Sequence, residues 1–129
     1  MKKSFAYRLL IVFFFMSFWS FETSAQNTSC PDIHRGIASV AEMTRYASVA
    51  KSFDICKTNV EYSVKWIKWI FENKHECTCP ASYKYLQNTW KYLYSLDSNN
   101  DLSICRSQTK KASKNSASSL FYISQCYKN

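Results

Sequence analysis

Cys77-Thr78-Cys79, with His75 two positions upstream, is the densest cluster of reactive side chains in the chain. Reduced, two thiolates and an imidazole are zinc ligands; oxidised, the same sulfurs are disulfide partners. The spacing favours the second. Structural zinc sites typically separate paired cysteines by about two to four residues, and here a single threonine intervenes. Four more cysteines, Cys30, Cys56, Cys105 and Cys126, bring the total to six. An even number, all downstream of an export-like N-terminus, predicts an oxidised, stapled domain without free thiol chemistry.

Other chemistries lack their parts. His34 and His75 are the two histidines, and a Cys–His nucleophile pair needs a thiol that disulfides would consume. The serines sit in no nucleophile elbow, because that turn needs glycines and the chain has one, Gly36. Asp32, Glu42, Asp54, Glu61, Glu72, Glu76, Asp97 and Asp101 are scattered, so no acid/base pair assembles. Asp97-Ser98-Asn99-Asn100-Asp101-Leu102-Ser103-Ile104 resembles the opening of an EF-hand loop. However, Leu102 replaces the glycine of the sharp turn and Gln108 the bidentate glutamate. A helix–helix loop ending in an N-cap fits it better. The expectation is a non-enzyme with neither metal nor cofactor.

Aromatic side chains are the remaining recognition chemistry. Tyr62, Trp66 and Trp69 fall nearly opposite a stripe of Val60, Val64, Ile67 and Phe71, with Lys65 and Lys68 beside them. Tyr85 and Tyr92, with Leu96, fall opposite a stripe of Tyr83, Leu86, Trp90 and Leu93. A helix that is apolar nearly all round either sits inside a bundle or offers a second face to a partner. On the second reading, Tyr62, Trp66, Trp69, Tyr85 and Tyr92, rimmed by Lys65 and Lys68, form a binding surface of the composition that hot spots favour.

Four helical segments must position these residues. One glycine, two prolines and no Asn-Gly or Asp-Gly dipeptide argue against hairpins. Ile33, Ile37, Val40, Thr44 and Ala47 define a first helix over about 31–50. A capping box, Thr58 to Glu61, predicts that the second runs over about 58–75. Glu61 with Lys65, and Lys68 with Glu72, are spaced for ion pairing along it. The third runs over about 80–96. The fourth starts near Asp101, with a serine- and lysine-rich middle, 110–119, expected to be its weakest stretch and a candidate kink or loop.

Before them, Lys2, Lys3 and Arg8 precede a 13-residue apolar run, Leu9–Phe21, and small residues at Thr23 and Ala25. A spanning helix needs roughly 20 residues, so residues 1–25 are expected to be a cleaved signal peptide. Its removal takes three basic residues and one acidic residue from 17 and 9, leaving 14 and 8, a net charge of +6. Residues 26–129 are then one small domain. Asn27-Thr28-Ser29 is a glycosylation sequon, relevant in a eukaryotic host.

If the four helices alternate in direction, Cys56 and Cys105 alone share one pole, which forces that pair. Cys30 and Cys126 then share Cys77 and Cys79 at the other pole. A Cys77–Cys79 ring would be strained, and Cys105 and Cys126 are about 30 Å apart if helical. The expected fold is therefore an all-α, four-helix up-down bundle stapled by three disulfides. The expected function is a non-catalytic periplasmic or secreted protein-binding domain, an inhibitor or immunity protein that occludes an acidic partner. The alternative is a secreted effector or toxin acting on membranes or host targets. Neither a nucleic-acid partner nor a membrane-spanning segment in the mature chain is expected.

Overall fold

The computed structural model describes residues 29–98 and 101–128. The expected signal peptide and the sequon's Asn27 lie outside the described residues, as do Asn99 and Asn100 of the EF-hand-like stretch. Four helices follow in order: α1 (Ser29–Ser48), α2 (Phe53–Asn73), α3 (Pro80–Tyr94) and α4 (Leu102–Lys128), with a 3-10 turn at Ser95–Ser98. They form an up-down bundle, and no strand occurs among the described residues.

The first helix follows its periodicity closely. Ile33, Ile37, Val40, Thr44 and Ala47 are all fully buried. α2 starts earlier than the Thr58 capping box predicts. Ser52 is the N-cap, and its hydroxyl accepts from the Ile55 amide at 3.2 Å. Thr58 lies a turn inside the helix and donates to the Asp54 carbonyl at 2.8 Å. No helix breaker lies between Phe53 and Thr58, so the earlier hydroxyl captures the free amides first. Cys56 thereby sits on α2 itself, buried, and not in the connection. For the last two helices the expected starts hold: Pro80 opens α3, and the Asp101 carboxylate accepts from the Ser103 amide at 2.7 Å.

α4 is one uninterrupted helix, so the weak middle segment is neither a kink nor a loop. Cys105, Thr109, Ala112, Ser116, Ser119 and Ile123 are buried, alternating steps of four and three. That is the heptad seam of packed helices, written mostly in small residues. Their hydroxyls are occupied. Thr109 bonds the Cys105 carbonyl at 2.7 Å, Ser116 and Thr44 meet at 3.0 Å, and Ser82 and Ser119 each donate to the other's carbonyl at 2.8 Å. Serine weakens helices by competing for backbone groups; here neighbouring helices take up that capacity. Lys110, Lys111 and Lys114 remain exposed on the outer side.

The packing is uneven. α1 packs against both α2 and α4, and α4 packs against both α1 and α3, whereas α2 and α3 barely meet. The two interior helices are therefore the first and last, not the aromatic second and third. This rotates the stripe of α2 towards α1: Ser63, Ile67 and Ile70 are fully buried, while Val64 and Phe71 are only half-buried. Trp90 on α3 is half-buried for the same reason. Leu96, expected on the outer face, is buried, because the 3-10 turn carries it beyond the end of α3.

Three disulfides fasten this frame: Cys30–Cys77, Cys56–Cys105 and Cys79–Cys126, with Cα separations of 5.0, 6.4 and 5.9 Å. The pole argument is correct for Cys56–Cys105, and the structure resolves how Cys77 and Cys79 are shared. No free cysteine remains. Three such bonds suit an oxidising, extracellular environment.

Candidate functional site

The sparse contact between α2 and α3 leaves a groove along one side of the bundle. Lys68, Phe71 and Glu72 form one wall and Gln87, Trp90 and Lys91 the other. Its volume is about 700 Å³, and it is open to solvent. Both walls show the same i, i+3, i+4 spacing, with an aromatic residue in the middle position. Because α2 and α3 run in opposite directions, Lys68 and Lys91 come to the same end of the groove. The Lys68 ammonium lies 5.9 Å from the centre of the Trp90 ring, and Trp90 stacks on Tyr94 at 6.0 Å.

A second hollow of about 450 Å³ adjoins it at the pole of the Cys77-Thr78-Cys79 connection, with Phe71 common to both. There Lys74 lies 4.8 Å from the Tyr83 ring and 5.9 Å from that of Phe71. The Tyr83 hydroxyl donates to the Cys77 carbonyl, and burial pushes its pKa up from 10.0 to about 12.

The seven residues expected to make one recognition surface are divided. Tyr62, Lys65, Trp66 and Trp69 sit on the α1–α2 shoulder. Tyr62 is 51% exposed and Trp69 36%, and the Lys65 ammonium is 5.7 Å from the Tyr62 ring. Trp66 is half-buried against Gly36 of α1 and meets Trp69 edge-on at 5.7 Å. Tyr85 and Tyr92 sit on the α3–α4 shoulder. Tyr85 stacks on Tyr122 at 5.5 Å, and Tyr92 lies 5.9 Å beneath the Lys111 ammonium. Lys68 alone of the seven reaches the groove. Lys65 and Lys68, spaced for pairing with Glu61 and Glu72, turn onto rings.

Phe71 and Trp90 were missed as site residues because periodicity assigned them to the core. The available signal was the surplus of apolar surface on α2 and α3, more than one neighbouring helix can cover.

All six sulfurs are in disulfides, so Cys77 and Cys79 offer no thiolate to zinc. Among the described residues, no group of three or more His, Cys, Asp or Glu residues is placed to hold a metal. His34 Nε2 meets the Ser124 hydroxyl at 3.1 Å, but that hydroxyl donates to the Leu120 carbonyl at 2.8 Å. No described helix is long and apolar enough to cross a membrane. Comparison with family models, with curated proteins and with solved structures returned no match.

Proposed function

We propose that this chain is a non-catalytic, exported protein-binding domain that occludes its partner, as an inhibitor or immunity protein does. The open α2–α3 edge carries the reading: a bundle stapled by three disulfides nevertheless leaves two aromatic residues and two lysines lining an unfilled groove. Rigid scaffolds lose little entropy on binding, and the basic balance of the chain favours an acidic partner. Photo-crosslinkers at Gln87, in the groove, and at Lys110, on the outer side of α4, provide the test. The Gln87 probe is expected to capture one exported protein whose own activity the complex blocks. Equal capture from Lys110, or substrate turnover by the purified protein alone, would sink the proposal.

The exposed cluster of Tyr62, Lys65 and Trp69 supports a second reading, an effector that perturbs anionic membranes. Dye leakage from anionic vesicles, abolished by high salt, separates it from the first.

A further inference from the structure

From the groove's shape and charge we infer its occupant: an acidic amphipathic helix of the partner protein, laid between α2 and α3 as a fifth helix. The inference rests on the protein-binding reading above. Two helix ridges with i, i+3, i+4 spacing form a trough that suits a third helix, whose apolar residues recur at the same intervals. Phe71 and Trp90 would receive those apolar anchors. The trough is open to solvent, so a small ligand would keep one side in water. A helix would bury one face and keep the other solvated.

Charge selects among helices. Lys68 and Lys91 stand at one end of the groove, Lys74 lies beyond the other end, and among the described residues Glu72 is the one acidic residue lining the walls. Lys68 and Lys74 now rest on aromatic rings. Carboxylates on the incoming helix would draw both ammonium groups off those rings and uncover the apolar floor. A second copy of this chain would instead set lysines against lysines, in a molecule carrying 17 basic and 9 acidic residues.

Selection from displayed random peptides of about 18 residues, long enough for a helix of several turns, tests this on the purified, oxidised protein. Enriched sequences are expected to be net acidic, with apolar residues at three- and four-residue steps. Synthesised as free peptides, they should bind at least ten-fold more weakly to a Lys68→Glu/Lys91→Glu variant. A Lys110→Glu/Lys114→Glu variant should bind them as the unaltered protein does. All four lysines are exposed, so circular dichroism should show both variants folded. Recovery of no peptide, of basic or aperiodic peptides, or of peptides indifferent to Lys68 and Lys91 overturns the inference. If binding depends on Tyr62 and Trp69 instead, the helix-in-groove inference falls while the protein-binding reading stands.

Discussion

Gly36 governs how closely α2 can lie against α1. A methyl group at this position would stand 3.0 and 3.2 Å from two carbons of Ile70, and 3.4 Å from Trp66. Ile70 is fully buried, so it has little room to yield. Alanine would gain up to about 1 kcal/mol of helix propensity, against an overpacking cost of about 1–3 kcal/mol. Gly36→Ala is thus expected to lower stability by about 1 kcal/mol in urea unfolding; an increase would show that α2 can shift freely. Tyr83 makes a different prediction. The unfolded chain releases this proton near pH 10.0 and the folded chain near pH 12. Its contribution is therefore complete below pH 10 and is lost as the pH climbs from 10 towards 12. Tyr83→Phe should remove that part of the alkaline slope and cost about 1 kcal/mol at neutral pH through the lost bond to Cys77. Unfolding curves of both proteins from pH 8 to 11.5 check the sign.

Among the elements, α4 shows how small side chains can hold a bundle together. Its buried seam has one large aliphatic residue, Ile123, and relies otherwise on close approach and on hydroxyl bonds to α1 and α3. The helix must be continuous for that register to hold. Lys114→Pro, at an exposed position, should therefore cost about 3 kcal/mol or more, and Lys114→Ala close to nothing. Comparable midpoints for the two in thermal melts would mean that 110–119 is a loop after all. Composition hides this helix, because serine and lysine score poorly when their neighbours in space are unknown. The heptad spacing of Cys105, Thr109, Ala112, Ser116, Ser119 and Ile123 was present in the sequence, but it is masked when only large residues are counted as core. α1 was legible because a single stripe of Ile, Val, Thr and Ala left no choice of face. α2 was not, since its apolar residues surround the axis and the choice between stripes is made by α1. Its start was misread because two hydroxyls, Ser52 and Thr58, offer competing caps.

At the scale of the molecule, the disulfides convert four helices into one body. Removing the Cys56–Cys105 bond by paired alanines should cost about 2–4 kcal/mol, visible as a lower urea midpoint with the helical signal retained. Non-reducing peptide mapping should find Cys56 joined to Cys105 alone. Trypsin cannot cut between Cys77 and Cys79, which flank only Thr78. Fragmentation within that peptide is therefore needed to show Cys77 with Cys30 and Cys79 with Cys126. The pairing was largely legible from topology, since helix direction alone assigns each cysteine to a pole. The groove was not, because the distance between two helices depends on packing that no periodicity encodes. The Cys77-Thr78-Cys79 clasp has a further consequence for handling the protein. It holds the start of α1 and the end of α4 against the same three residues, and His34 and Ser124 touch across that junction. The two ends of the folded body thus leave from one pole. A short linker joining them, with new ends opened in the connection between α3 and α4, should yield a circular permutant. Equally, the whole domain should tolerate insertion into a surface loop of a carrier protein, moored at that pole.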